Sequence, residues 1–159
     1  MHKSFFIAAL AAAVFTPAAA SAELRRVQFK VDGMSCAYCN TTMSAAIQKL
    51  DGVEKVRLSA EEGLVIVELK AGNKIAIEQL RRLVRSNGYP TKDAEIVAIG
   101  KVVNTGGAHS LDLLNGSMLA LTAPPSKSVQ EVVEVKGVVT ADDKNAERLR
   151  ITSMAPAPR

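Results

Sequence analysis

The sequence predicts an α+β fold in which strands and two helices alternate over the first half and strands alone fill the second. Two observations carry this. Between residues 23 and 99 the hydrophobic period switches from two to about 3.6 and back twice, with a Gly-containing turn close to most of the switches. After residue 100 only short Val- and Leu-rich runs remain, divided by Gly, Asn and Pro.

The elements follow in order. Arg26 to Asp32 alternates polar and apolar residues, as a half-buried strand does, and Asp32-Gly33 turns the chain. A helix is expected from about Cys39 to Leu50, because Met43, Ile47 and Leu50 repeat at spacings of four and three. Asp51-Gly52 ends it. Val53, Val56 and Leu58 mark a short strand, Glu61-Glu62-Gly63 a hairpin turn, and Leu64 to Leu69 a more fully buried strand. Ala71-Gly72-Asn73 breaks the pattern before Ile77, Leu80 and Val84, the apolar face of a second helix that Asn87-Gly88 closes. Glu95 to Ile99 supplies the last strand, which gives β-α-β-β-α-β, the split βαβ or ferredoxin-like order.

From Gly100 the runs Lys101-Val102-Val103, Leu111 to Leu114, Met118 to Leu121, Val129 to Val139 and Leu149 to Ile151 read as strands. Their turns are Asn104 to Gly107, Asn115-Gly116, read as a two-residue hairpin, and Ala141 to Lys144. The count suits a small all-β domain, an OB-like five-stranded barrel, over residues 100–153. Residues 154–159, with alternating Pro, are expected to be a disordered tail. No Pro/Ser-rich linker separates Ile99 from Gly100, so the two units are expected to abut, with Glu23–Ile99 able to fold alone.

Residues 1–22 read as a cleaved secretory signal: Met1-His2-Lys3 is basic, Phe5 to Phe15 is almost wholly apolar, Pro17 breaks the run and Ala20-Ser21-Ala22 ends in an A-x-A pattern. The apolar run falls well short of the roughly 20 residues a spanning helix needs. An exported, periplasmic protein with no stable membrane insertion is expected. The net charge of +4 is scattered and aromatic residues make up 4%, which argues against a nucleic acid partner. Arg81, Arg82 and Arg85 form one local cluster, read as a solvated helix face.

Both cysteines of the chain lie in Gly33-Met34-Ser35-Cys36-Ala37-Tyr38-Cys39, between a strand and a helix. Helix N-terminal amides favour negative charge, so thiolates there are stabilised. Thiolates bind soft metals. A disulfide across two residues closes too small a loop to staple distant elements, which suits the pair to reversible chemistry instead. Zinc wants four ligands or three plus water, and beyond the thiols the exported chain offers only His109, read as a surface-turn residue. Met43 and Met118 read as core.

Residues 23–99 resemble a heavy-metal-associated domain, the module of copper chaperones, copper ATPase amino-terminal domains and a periplasmic mercury-binding protein. The resemblance rests on Gly-Met before Cys36-x-x-Cys39, the strand-to-helix setting and Asn87-Gly88-Tyr89-Pro90 after the second helix. It implies a non-enzymatic metal carrier or scavenger with Cys36 and Cys39 as metal ligands and a metal-donor or metal-acceptor protein as partner. It also implies that Met34 packs inward and that Tyr89 lies close to the loop. Cu(I) and Hg(II) both accept two sulfurs; the Tyr89 position favours Cu(I), while export with this domain order resembles the mercury scavenger. A thiol-disulfide oxidoreductase and a structural adaptor docking a larger assembly are the readings from other classes. Against the oxidoreductase stand the absence of Trp and the order of the elements after the motif.

Overall fold

A computed structural model describes residues 23–113, 115–125, 131–141 and 146–158. The expected signal, residues 1–22, and most of the expected turn from Ala141 to Lys144 lie outside the described residues.

The first half follows the expected order: β1 (Glu23–Val31), α1 (Ala37–Gln48), β2 (Val53–Ser59), β3 (Leu64–Leu69), α2 (Ile77–Ser86) and β4 (Thr91–Thr105). β1 lies between β3 and β4, antiparallel to both, and β2 forms the edge beyond β3. The face under the helices is apolar because the alternation puts Val27, Phe29, Val65, Val67, Ala94 and Ile96 on it. A register shift around Arg25 lets Leu24 and Val27, three residues apart, both face inward. Asn73 closes the β3–α2 loop from inside: its Nδ2 donates to the carbonyls of Leu24 and Lys70 and its Oδ1 accepts from Ile75 N.

The second half continues the same sheet. β4 does not stop at Ile99. It runs unbroken to Thr105, pairing along Ala94–Lys101 with β7 (Val132–Ala141) and along Lys101–Thr105 with β5 (Ala108–Asp112). β6 (Met118–Leu121) follows β5, and β8 (Glu147–Pro156) lies parallel to β6 and antiparallel to β7. The pairings β4-β5-β6-β8-β7 and back to β4 close a five-stranded ring, the expected OB-like barrel with its first strand borrowed from the ferredoxin-like unit. Leu111, Leu119, Leu121, Val133, Val135, Val139 and Leu149 join one core cluster with the residues beneath α1 and α2.

Four expectations change. The boundary between Ile99 and Gly100 falls inside a strand, because Gly100 is a close-approach residue and not a break: a Cβ there would stand 2.7 Å from Asp112 O and 2.9 Å from Leu111 Cδ1. Met154 to Pro156, expected in a disordered tail, belong to β8 and pair with Val135, Glu134 and Val133, where a strand end accommodates proline. The Asn115-Gly116 turn is wider than the expected two residues, since the bond that closes it runs from Leu113 N to Ser117 O, with Gly116 at φ +90°. Met118 is exposed, because the alternation along β6 turns Leu119 and Leu121 inward.

Candidate functional site

α1 begins two residues earlier than its apolar spacing implies, and this decides the geometry of the cysteines. Cys36 is the N-cap residue, with extended backbone, and Cys39 is the third residue of the helix. Cys36 Sγ accepts a hydrogen bond from Cys39 N at 3.2 Å, the bond that a capping serine or threonine oxygen makes. The two sulfurs are joined as a disulfide, with Cα atoms 5.3 Å apart. Cys36 is exposed and Cys39 half-buried against the core. The first turn carries no acidic side chain, so negative charge at this helix end would reside on sulfur.

The loop before the cap is held from below. Met34 is 3% exposed and inserts into the core. Its carbonyl accepts from Asn40 Nδ2 at 3.1 Å, and Asn40 Oδ1 in turn accepts from the Tyr89 hydroxyl at 2.9 Å. Tyr89 reaches this position because α2 ends in a Schellman motif: Gly88, at φ +88°, donates its N–H to Arg85 O and Tyr89 N donates to Val84 O. The glycine is required there, since positive φ strains any residue with a Cβ. At the other end, Val31 N bonds Gly63 O, which anchors the exit of β1 to the β2–β3 turn.

Around the loop, Tyr38 within the motif is 81% exposed. His109 sits on β5 opposite Asn104, in the barrel and not at the CxxC loop. Among the described residues no group of three or more His, Cys, Asp or Glu converges on one point. The sequence reading missed Asn40, which carries no special signal beyond following Cys39.

It also misplaced Arg81. Of the three arginines on α2, Arg82 is exposed and pairs loosely with Glu78, and Arg85 is exposed and bonds Thr91, but Arg81 is 0% exposed. Its Nε donates to Glu147 Oε1 of β8 at 3.2 Å, its Nη1 to Thr91 Oγ1 at 3.2 Å, and its guanidinium stands 5.4 Å from the Phe29 ring centroid. Burial raises the Glu147 pKa, against the lowering effect of the hydrogen bond and charge of Arg81.

Residues 28–90 match the family model described as heavy-metal-associated domain. The copper chaperone CopZ of Staphylococcus epidermidis is 33% identical over 63 residues, which are 40% of this chain and 91% of that protein. The chain belongs to the heavy-metal-associated domain family. The mercuric transport protein periplasmic component of Shigella flexneri is 35% identical over 91 residues, 57% of this chain and 96% of that relative. Among solved structures a CopZ metallochaperone aligns at a TM-score of 0.39 and 29% identity, over 42% of this chain and 97% of its own. The heavy-metal-associated match ends at Pro90, one residue before β4, so β4 to β8 lie outside it.

Proposed function

We propose that the protein binds a soft metal ion through Cys36 Sγ and Cys39 Sγ and passes it to a partner protein. Cu(I) is the proposed cargo, with Hg(II) the alternative, and the periplasm the proposed compartment. The observation that carries the reading is the pair of sulfurs at the N-cap and third positions of α1. There the helix end favours thiolate over thiol, and the two side chains share one exposed corner. The similarity to copper chaperones and to the mercuric transport component supports the same chemistry.

In the reduced form the two thiolates hold the ion with low coordination number, which suits d10 ions that accept two sulfurs. Exposure of Cys36 leaves one side open. A thiolate of the partner adds there to give a three-sulfur intermediate and one cysteine of this protein leaves; a second partner thiolate then adds and the other cysteine leaves, so the ion keeps at least two sulfurs throughout. No bond of a substrate is broken, so the reading is of a carrier and not an enzyme. The disulfide is the form that cannot load.

The test is a Cu(I) titration of the reduced protein against a competing chelator without oxygen, repeated with Hg(II). One ion per chain is expected. Cys36→Ser and Cys39→Ser should each abolish tight binding with the fold retained. Tight Cu(I) or Hg(II) binding by the double variant would place the site elsewhere, and disulfide reductase turnover by the unaltered protein would favour the oxidoreductase.

A further inference from the structure

One threonine ties the barrel to the strand that enters the metal loop. Thr91 opens β4, directly after Tyr89-Pro90, and pairs across the sheet with Val31, the last residue of β1 before the loop. It therefore lies at the foot of both segments that hold the CxxC: the strand that enters the loop, and the turn whose Tyr89 hydroxyl bonds Asn40 Oδ1 while Asn40 Nδ2 bonds the Met34 carbonyl. The Thr91 hydroxyl accepts from Arg81 Nη1 at 3.2 Å and from Arg85 Nε at 3.1 Å. Arg81 is oriented in turn by Glu147, which β8 contributes from outside the family match.

A guanidinium is a planar fork, so fixing one of its N–H groups fixes the direction of the others. Glu147 Oε1 holds Nε, which points Nη1 at Thr91, and the Phe29 ring bounds the same group. A buried guanidinium that loses one carboxylate partner re-orients toward its remaining acceptors, because a charge in the interior needs compensation. The direction of Arg81, and with it the seat of Thr91, thus depends on a residue of the barrel.

We propose that Glu147 is a positioning residue for the metal loop: through Arg81 and Thr91 it seats the Tyr89–Asn40–Met34 brace, so that metal affinity at the CxxC depends on the β extension. The proposal rests on the metal-binding reading above and adds a role for the part of the chain that the family match leaves out.

The experiment uses the full chain, reduced, with Thr91→Val, Glu147→Gln, the double variant and Thr91→Ser. Two quantities are read: the Cu(I) affinity by chelator competition, and the NMR position of the Asn40 side-chain amide in the metal-free protein. Thr91→Val and Glu147→Gln should each weaken Cu(I) binding by about 2- to 30-fold, the range of coupling between connected sites, and each should shift the Asn40 amide. The double variant should be no weaker than the weaker single, because both cut one connection. Thr91→Ser keeps the hydroxyl and should restore the affinity. Unchanged affinity with an unshifted amide in both singles, or losses that add in the double, would overturn the proposal. If the unaltered protein binds neither Cu(I) nor Hg(II), the metal reading fails by itself and the amide decides: a shift in both singles supports the brace, and no shift overturns it. Should Glu147→Gln fail to fold, Thr91→Val against Thr91→Ser gives the same decision.

Discussion

Cys36 does at the start of α1 what serine or threonine usually does, and this is why the helix start was illegible. Sulfur is not among the preferred N-cap groups, and apolar spacing begins only at Met43, so the pattern placed the start at Cys39. The inward position of Met34 came from the family resemblance and not from the residues themselves. Arg81 was not legible as buried, since a charge among charges reads as surface; yet it stands four residues after Ile77 and three before Val84, on the buried face. Its partner Glu147 carries a testable electrostatic signature. Burial is the largest cause of the raised pKa of Glu147, with the charge of Glu78 adding to it and Arg81 and Arg85 opposing. An acid whose pKa is higher folded than unfolded contributes stability that is complete below the ordinary glutamate range and is lost as pH rises through the raised value. The stability of the native protein relative to Glu147→Gln should therefore be lower at neutral pH than at a pH below the ordinary glutamate range. Urea denaturation of both at the two pH values checks this, and a relative gain for the native protein at neutral pH would contradict the desolvation account.

At the scale of elements, β1 to α2 were readable because each is bounded by its own turn and carries its own period. The strands beyond were found in pieces. β4 was split because Gly100 resembles a terminator, whereas its missing side chain is what admits the backbone of β5. The parallel pairing of β6 with β8 has no local signature at all, since it depends on contacts far apart in sequence. Gly100→Ala would drive a methyl group to 2.7 Å from Asp112 O, a carbonyl fixed in the β5 strand. Overpacking of this kind costs about 1–3 kcal/mol. The denaturation midpoint should fall accordingly while the Cu(I) stoichiometry of the variant stays at the native value; an unchanged midpoint would show that β5 does not approach β4 so closely.

At the scale of the whole molecule, the two units share a strand and a core. A fragment Glu23–Ile99 keeps the β-α-β-β-α-β order and contains the whole of the family match, residues 28–90. It loses Val133, Val135 and Val139, which pair with Gly100, Ala98 and Ala94, and leaves Arg81 without Glu147. Each buried valine contributes about 1.5–3 kcal/mol at most. The fragment should fold, but melt about 10 °C or more below the full chain starting at Glu23, given the 4–8 °C that each kcal/mol moves a domain of this size. Circular dichroism melts of the two reduced proteins measure the difference, and coincident melts would restore the picture of separable domains.

The continuity of β4 has one more consequence. Ala94, Ile96, Ala98, Gly100 and the half-buried Val102 keep a single parity from beneath the helices into the barrel, and the partners Val139, Val135, Val133 and Leu111 are buried. A strand tolerates only even changes of length if its faces are to stay where they are. Adding or deleting one residue near Gly100 would turn the barrel inside out relative to the metal-binding half, whereas two residues would leave both interiors apolar. The shared strand thus acts as a reading frame in three dimensions: the extension can drift in sequence, but its phase is tied to that of the loop-bearing half.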